Sequence, residues 1–208
     1  MKCTPHELRE IYDDFASLYD RHIAWLEHIA GLRPLRRELF QQAFGNVLDV
    51  ATGTGANYEF FPPSCKVTGI DLSSHMLDAA KSKAKSLGME VTLQVMDAEK
   101  ITFPPESFDT VVSALSLCTF PDPHRALGEM SRVCRKGGKI LLLEHGPSDW
   151  KMIAAAQKLF VGEWHVRKFG CHWDREPHQL VEQAGLPIRR HRRKFFGVLH
   201  AIEIDNEK

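Results

Sequence analysis

Apolar residues recur at two different periods along this chain, and the two periods predict a succession of helices and strands. Near the N-terminus they recur every three or four residues, which is typical of amphipathic helices over 5–30 and 35–44. From residue 47 onward, short apolar runs bounded by glycine, proline or serine predict strands. The predicted strands span 47–50, 66–70, 91–95, 108–114, 139–144, 187–194 and 197–204. The predicted helices between them span 74–87, 123–134, 150–160 and 176–184, with a helical turn at 57–61 and an irregular segment after 160.

Strands that alternate with helices favour a mostly parallel sheet, because a parallel crossover needs a dozen or more residues and usually contains a helix. No helix separates the last two predicted strands, so these strands predict an antiparallel hairpin at one end of the sheet. We therefore predict an α/β fold in which 1–44 forms an N-terminal helical lid. Residues 45–208 would form the main domain, in one folding unit with that lid.

A glycine turn follows the first predicted strand, where residues 49–55 read DVATGTG. The second strand ends at Asp71, which lies 18 residues after Gly53. This is the layout of a nucleotide-binding βαβ unit, in which glycines admit a ligand close to the backbone and the acid accepts hydrogen bonds from a ribose. A dinucleotide site would need a third glycine, which is missing. Asp49 would also repel a pyrophosphate, whereas it would help to position a cationic cofactor that carries an amino acid.

Composition narrows the class of protein. The chain has 208 residues, of which 43% are hydrophobic and 26% charged, as in a single soluble globular domain. The formal net charge is zero, so the sequence gives no reason to predict DNA binding. We find no apolar stretch long enough to span a bilayer and no secretory signal, and therefore predict a cytoplasmic protein. The five cysteines are scattered without a Cys-x-x-Cys pair, which predicts reduced thiols and no metal site.

Four further segments with recognisable motifs follow the glycine turn along the chain. They read DLSSHML at 71–77, MDAE at 96–99, FPPESFD at 103–109 and RVCRKGGK at 132–139. Together with the glycine turn, they resemble the class I S-adenosylmethionine-dependent methyltransferases over about residues 10–204. The chain departs from the family pattern at Lys136, where a proline is usual. The resemblance implies a Rossmann-like, doubly wound, mostly parallel seven-stranded sheet with a C-terminal antiparallel hairpin.

The resemblance also implies S-adenosyl-L-methionine as the cofactor. It assigns the ribose to Asp71, the adenine ring to Asp97 and Ala98, and the methionine moiety to the glycine turn. Each residue also has a simpler interpretation: the glycines as a tight turn, Asp71 as a helix cap and Asp97 as a solvated acid. The predicted cofactor-binding residues are Asp49, Ala51, Gly53, Gly55, Asp71, Leu72, Met76, Asp97, Ala98, Ser113 and Tyr19.

Within the superfamily, the chain looks most like the small-molecule branch. It is similar to the ubiquinone/menaquinone-biosynthesis, phospholipid N- and thiol methyltransferases, and the segments LEHG at 143–146 and GCHWDR at 170–175 look closest to the thiol enzymes. The resemblance implies methyl transfer to an S, N, O or C atom of a small apolar or lipid-like acceptor. An Asn/Asp-Pro-Pro-Tyr motif is absent after the fourth strand, which disfavours planar-amine acceptors.

The acceptor pocket and a general base are predicted from residues near the strand ends. His145 is the first candidate for the base, because the pKa of an imidazole lies near neutrality, and His172 is the second. His145 is equally well explained as a hydrogen-bonded loop histidine. For His172 a place in a substrate loop with Trp173 is favoured over a role as base, and a zinc site at Cys171, His172 and Asp174 is disfavoured by their spacing. The predicted substrate-pocket residues are Tyr12, Phe15, Cys118 and Trp173, with further aromatic surface from Trp150, Phe160 and Trp164. Plain core packing explains the first three equally well.

The run RRHRRK at 189–194 is the one strong charge cluster. It predicts either peripheral contact with an anionic membrane or RNA, or the solvated face of an edge strand that is protected against aggregation. A macromolecular (RNA or protein) methyltransferase that uses this run is therefore the second functional hypothesis. A non-catalytic cofactor-binding scaffold is the third. Arsenite methylation would need converging thiols, which the spacing of the five cysteines does not predict.

Overall fold

A seven-stranded sheet in the order β3-β2-β1-β4-β5-β7-β6 forms the centre of the molecule. The computed structural model describes the backbone of residues 3–160 and 163–207, and their side chains except those of 22–26, 28–29, 160 and 163–164. The strands are β1 (Asn46–Val50), β2 (Lys66–Asp71), β3 (Val91–Val95), β4 (Phe108–Ala114), β5 (Cys134–His145), β6 (Ile188–Lys194) and β7 (Leu199–Asn206). The helices are α1 (Pro5–Ile29), α2 (Leu32–Phe40), α3 (Ser74–Ser86), α4 (Pro123–Val133), α5 (Lys151–Phe160), α6 (Glu163–Phe169) and α7 (Pro177–Gln183), with a 3₁₀ turn at Tyr58–Phe60.

The predicted fold class is confirmed. Strands β1 to β5 pair in parallel, whereas β7 runs antiparallel to both β5 and β6. Helices cover both faces of the sheet, so the central strands are apolar on both sides. One core contains Leu48 and Val111 with α4 and α7, and the other contains Val47 and Val112 with α2 and α3.

The strand order reverses between β1 and β4, which creates a crevice at their carboxyl ends. From β1 the sheet continues through β2 to β3 on one side, and through β4 and β5 to the hairpin on the other. The connections therefore leave in opposite directions, and the loops that follow β1 and β4 diverge. The glycine turn after β1 and the loop after β4 line the two sides of this crevice.

Several predicted boundaries were wrong. Helix α2 starts at Leu32 rather than 35 because Pro34 lies in its first turn, where a missing N–H costs nothing. Strand β5 starts at Cys134 rather than 139, because the chain pairs with β4 through a bulge before the regular ladder begins. Part of the segment expected to be irregular forms α6. Within the predicted 1–44 lid, α1 lines the crevice, whereas α2 contributes Leu39 and Phe40 to the core.

Residues 195–198 connect β6 to β7 in a turn where Phe195, Phe196 and Gly197 all have positive φ. Strand β6 forms the edge of the sheet and carries the basic run 189–194. In the part of the chain that is described, we find no helix with the length and apolar character needed to cross a membrane.

Candidate active site

A buried carboxylate stabilises the turn after β1 through hydrogen bonds. Asp49 is fully buried and accepts hydrogen bonds from Oγ1 of Thr52 (2.7 Å) and Nδ2 of Asn57 (2.9 Å). Burial raises the pKa of Asp49 to about 6 although both hydrogen bonds lower it. Asn57 also accepts a hydrogen bond from the buried guanidinium of Arg36. Asp49 therefore fixes the shape of the turn and lies behind its backbone.

Asp71, at the end of β2, faces the crevice. Its Oδ2 accepts a hydrogen bond from the backbone N–H of Gly53 and its Oδ1 one from that of Ser73, both at 2.9 Å. Burial raises its pKa to about 6, against the effect of these donors. Each carboxylate oxygen keeps a second lone pair for a ligand. Asp71 also adjoins the start of α3, where the backbone N–H of Met76 donates to Oγ of the capping residue Ser73 at 3.0 Å.

A first cavity lies between these residues and the loop after β4, and we call it the cofactor cavity. Eight predicted cofactor residues line it: Tyr19, Ala51, Gly53, Asp71, Leu72, Met76, Asp97 and Ala98. It is also lined by Met96, Leu115, Ser116 and Phe120, which are not among the predicted cofactor-binding residues. The cavity therefore passes from the glycine turn, past the acid that ends β2, to the loop after β3.

A polar cavity adjoins the cofactor cavity at the glycine turn. Both are lined by Tyr19, Ala51, Gly53, Ala114 and Leu115. The remaining wall of the polar cavity carries charges of both signs, from Asp20, Glu27, Arg33, Arg36, Glu59 and Lys83. A zwitterionic group is the kind of ligand that such a wall would accommodate.

Helix α1 lies over the cofactor cavity and is hydrogen-bonded to the loops that follow β1 and β2. Oγ1 of Thr54 donates to Asp20 at 2.6 Å, and Oγ of Ser73 donates to Asp13 at 2.6 Å. The hydroxyl of Tyr12 donates to the backbone oxygen of Phe169, on α6, at 3.3 Å. These contacts attach α1 to the loops after β1 and β2 and to α6, and the role of α1 as a lid stays a prediction.

A second cavity, which we call the acceptor cavity, encloses about 370 Å³ beneath α1, α5 and α6. Its wall is almost entirely apolar or aromatic, and includes the four predicted substrate-pocket residues Tyr12, Phe15, Cys118 and Trp173. The ring of Phe15 packs edge-on against Tyr19 and Phe169. Tyr12, Tyr19, Leu115 and Thr119 line both this cavity and the cofactor cavity, so the two spaces adjoin.

His145, the first candidate for a general base, lies in the acceptor cavity. It is 8% exposed, and its ring packs on that of Trp173 with 4.1 Å between centroids. Its Nε2 is 3.3 Å from Sγ of Cys171, while its Nδ1 has no hydrogen-bond partner among the described residues. Cys118 lies in the same wall and forms a hydrogen bond with Cys171. This hydrogen bond, together with burial, raises the pKa of Cys118 well above its ordinary value.

His172, the second candidate, does not line either of these cavities. Its backbone N–H donates to the oxygen of Cys118 at 2.9 Å, and its Nδ1 is 4.0 Å from Asp174. The guanidinium of Arg175 donates to the backbone oxygens of Leu117 and Phe120, each at 2.7 Å. These contacts attach the segment 170–175 to the loop after β4.

Several other predicted residues lie outside the cavities. The hydroxyl of Ser113 is buried and donates to the oxygen of Val50 at 3.0 Å. Gly55 contacts the ring of Tyr58, behind the turn. Trp150 is 59% exposed and packs against Phe196, so it adds no surface to the acceptor cavity. The side chains of Phe160 and Trp164 are outside the described residues.

Glu144 is a buried acid that our sequence interpretation did not assign. Its carboxylate accepts hydrogen bonds from the backbone N–H groups of Ser116 (3.1 Å) and Leu117 (3.2 Å). Burial raises its pKa to about 7, while these donors and His145 lower it. Leu115 has a positive φ of 55°, which turns the chain sharply after β4. The segment LEHG was noted in the sequence, but the role of Glu144 in fixing this loop had no local signal.

The basic run on β6 makes extensive ion pairs within the chain. Arg189 pairs with Asp205, Arg190 with Glu203, Arg192 with Glu38 and Arg193 with Asp149. Membrane or RNA contact through 189–194 stays a prediction, and these pairs favour its alternative, a solvated edge strand.

Residues 48–142 match the family model described as a methyltransferase domain. The ubiquinone/menaquinone biosynthesis C-methyltransferase of Bdellovibrio bacteriovorus is 32% identical over 162 residues, which are 75% of this chain and 69% of that protein. The chain belongs to the S-adenosylmethionine-dependent methyltransferases. The family predicted from the sequence motifs is thus confirmed.

Other relatives have different acceptors in their names. A phosphatidylethanolamine N-methyltransferase of Cereibacter sphaeroides is 41% identical over 116 residues, 55% of this chain and 57% of that protein. The human thiol S-methyltransferase TMT1B is 32% identical over 161 residues, 72% of this chain and 66% of that protein. The chain thus spans 57% to 69% of these three relatives. A methyltransferase structure from Aquifex aeolicus shares the fold, with a TM-score of 0.62, 20% identity and 98% of both chains covered.

Proposed function

We propose that this chain binds S-adenosyl-L-methionine in the cofactor cavity and methylates a small apolar molecule held in the acceptor cavity. The observation that carries the proposal is the adjacency of the two cavities, which share Tyr12, Tyr19, Leu115 and Thr119 as their common wall. When bound, S-adenosylmethionine supplies an electrophilic sulfonium methyl group. The chain has only to align the acceptor with that group and exclude water.

The order of side chains along the cofactor cavity matches the parts of this cofactor. The mixed charges around Arg36 and Asp20 suit its amino-acid end, next to the glycine turn. Asp71 would accept hydrogen bonds from the two ribose hydroxyls. Asp97 and Ala98 line the far end, where the adenine ring would lie. The predicted roles of Asp49, Gly55 and Ser113 then become indirect, since they shape the turn and the end of β4.

The acceptor cavity supports an apolar acceptor because few polar atoms are available in its wall. Aromatic rings of Phe15, Phe169 and Trp173 form much of its surface. An amine or a charged headgroup would lose its hydration there without a compensating hydrogen bond. His145 is the side chain in this wall that is best suited to take a proton from the acceptor.

Calorimetric titration with S-adenosylmethionine and S-adenosylhomocysteine, followed by an acceptor screen, tests the proposal. We expect micromolar binding of both, and methyl transfer to apolar thiols or phenols detected by mass spectrometry. A protein that binds neither ligand would contradict the proposed function. Binding without transfer to any small acceptor would favour the scaffold hypothesis. Transfer to RNA, with binding that weakens strongly as salt increases, would favour the macromolecular hypothesis.

Filling the acceptor cavity should separate acceptor binding from cofactor binding. Ile153, on α5, lines the acceptor cavity and not the cofactor cavity. We expect Ile153→Trp to raise the KM for the acceptor by about tenfold or more, because a larger ring occupies the space of the acceptor. The affinity for S-adenosylmethionine should stay unchanged. Met152→Trp is the matched control, since Met152 is 87% exposed, and equal effects of both variants would contradict the assignment.

Cofactor affinity is expected to fall as the pH decreases below about 6. The pKa of Asp71 in the empty protein is raised to about 6, so the carboxylate that would accept the ribose hydrogen bonds is largely protonated at pH 5. Below 6 the affinity should decrease by at most about tenfold for each pH unit. The same shift makes the empty fold less stable as the pH rises from about 4 to 6, because the folded state holds this proton more tightly. Calorimetric titrations between pH 5 and 8 measure the affinity. If the affinity of Asp71→Asn changes with pH as steeply as that of the unmodified chain, another group causes the effect.

A further inference from the structure

Three metal-ligating side chains meet in the wall of the acceptor cavity, although no local motif predicted them. One ligating atom from each of Cys118, His145 and Cys171 lies within 4.8 Å of the other two. Nε2 of His145 and Sγ of Cys171 are 3.3 Å apart. All three residues line the acceptor cavity. The spacing of the five cysteines along the chain did not predict that these two converge.

The surrounding structure holds the two thiols opposite each other. Cys118 lies in the loop after β4 and Cys171 in the segment after α6. The guanidinium of Arg175 and the backbone N–H of His172 bind the second segment to the first through three hydrogen bonds of 2.7 to 2.9 Å. The ring of Trp173 packs on His145 and restricts its orientation. Ligands held in this way lose little entropy when they bind an ion.

We propose that Cys118, His145 and Cys171 bind a zinc ion whose fourth coordination position opens into the acceptor cavity and takes an acceptor thiol. Two cysteines and one histidine are a ligand set of catalytic zinc sites, in which the fourth position is left for water or substrate. Tetrahedral zinc, with bonds of about 2.0 to 2.3 Å, separates its ligand atoms by roughly 3.5 to 3.8 Å. The cluster is close to this size, and small side-chain movements would close it around an ion.

The ligand set also indicates which metal would bind. Thiolate and imidazole ligands favour zinc, whereas calcium and magnesium require several oxygen ligands. Glu144, the buried acid next to His145 in the sequence, is occupied by the backbone N–H groups of Ser116 and Leu117. It therefore fixes the loop that carries Cys118 and is not available to coordinate a hard cation.

The inference rests on the proposed function, because it concerns an acceptor that lies next to the cofactor. An acceptor R–SH would replace water on the ion and pass its proton to that departing water, which leaves a zinc-bound thiolate. With the ion bound, His145 acts as a ligand and the departing water takes the place of the base. A sulfur lone pair then forms a new S–CH₃ bond. The methyl–sulfonium bond breaks, and its electron pair returns to the cofactor sulfur. The products are R–S–CH₃ and S-adenosylhomocysteine, and the zinc ion undergoes no change in oxidation state.

A second group of ligating residues could also bind metal and must be distinguished. His178, His191 and His200 lie within 4.8 Å of one another, away from the acceptor cavity, and their rings are stacked. This group has no thiol. The absorption spectrum of bound cobalt(II) distinguishes the two sites, because only thiolate ligands produce intense near-ultraviolet charge-transfer absorption.

The full chain is titrated with cobalt(II), and in a separate sample with zinc, in the absence of cofactor and acceptor. We expect a thiolate-to-cobalt absorption band that corresponds to one ion per chain and disappears when zinc is added. Cys171→Ser and Cys118→Ser should each lose the band and weaken zinc binding by at least about 100-fold, since even loss of an outer partner can cost that much. Cys65→Ser and His191→Gln are matched controls and should keep the band.

The outcomes separate this inference from the proposed function. Absence of the band in the unmodified chain, or its persistence in both cysteine variants at unchanged unfolding temperature, would overturn the zinc site. Cys171 is only half-buried, so its variant keeps the test valid if Cys118→Ser does not fold. If the band appears but S-adenosylmethionine does not bind, the zinc site stands and the proposed function fails. If a chelator leaves thiol methylation unchanged, the proposed function stands and the role of the ion in catalysis is refuted.

Discussion

Replacing Asp71 with asparagine is expected to weaken S-adenosylmethionine binding by about 100-fold, because an uncharged amide replaces the acceptor proposed for the ribose hydroxyls. A hydrogen bond to a charged group contributes about 1.5 to 3 kcal/mol, and each tenfold change in affinity corresponds to about 1.4 kcal/mol. The asparagine oxygen can still accept a hydrogen bond from Gly53 or Ser73, whose N–H groups are both 2.9 Å from the carboxylate. The fold should therefore survive, and calorimetric titration measures the change in affinity.

The matched control for this variant is Asp78→Asn. Asp78 is an exposed acid on α3, the helix that follows Asp71, and it does not line the cofactor cavity. Its replacement changes the net charge equally but should leave affinity unchanged. If Asp71→Asn binds the cofactor within threefold of the unmodified chain, or if both variants lose affinity together, the ribose assignment fails.

Replacing Gly55 with alanine is expected to destabilise the fold by about 3 kcal/mol, whereas the same change at Gly53 should mainly reduce cofactor binding. A Cβ atom at Gly55 would lie 2.5 Å from the ring of Tyr58, which is fully buried, and φ at this position is 79°. Overpacking and left-handed backbone strain each cost about 1 to 3 kcal/mol. For a chain of this length the unfolding temperature should then fall by roughly 6 to 12 °C.

Gly53 provides the contrast within the same turn. A Cβ atom built there meets no other atom within 4 Å, although φ is also positive at 55°. Gly53 lines both the cofactor cavity and the adjoining polar cavity, so the added methyl group would occupy space proposed for the cofactor. We expect about tenfold weaker binding and a stability loss of only about 1 kcal/mol. Thermal unfolding and titration of both variants check this crossover, and a larger stability loss for Gly53→Ala would reverse our interpretation of the turn.

Much of the fold and of the cofactor cavity could be predicted because the signals are local. The apolar runs of β1, β2 and β4 end at the glycine turn, at Asp71 and at the loop containing Leu115. Parallel strands bring their carboxyl ends to one edge of the sheet, so residues that follow these strands must be neighbours. That rule brought seven of the predicted cofactor residues to one cavity, and the eighth, Tyr19, reaches it from α1. It failed for Ser113, whose side chain points into the sheet rather than out of its edge.

The acceptor cavity was harder to predict because its wall comes from elements that are distant in the sequence. Tyr12 belongs to α1, Ile153 to α5 and Trp173 to the segment after α6. Trp150 was grouped with them by residue type alone, yet it lies on the surface against Phe196. Helical spacing shows which residues share a face, but it does not show which cavity that face lines.

By itself, the sequence determined the fold class, the superfamily and the position of the glycine turn relative to Asp71, since these depend on short-range periodicity and on residues joined by a few bonds. Only the tertiary structure decided that Cys118, His145 and Cys171 meet at one point. It also decided that the basic run 189–194 pairs with acids from three other parts of the chain. The physical reason is that such contacts depend on how separate loops and helices pack onto the finished sheet, and no local pattern of apolar and polar residues encodes that packing.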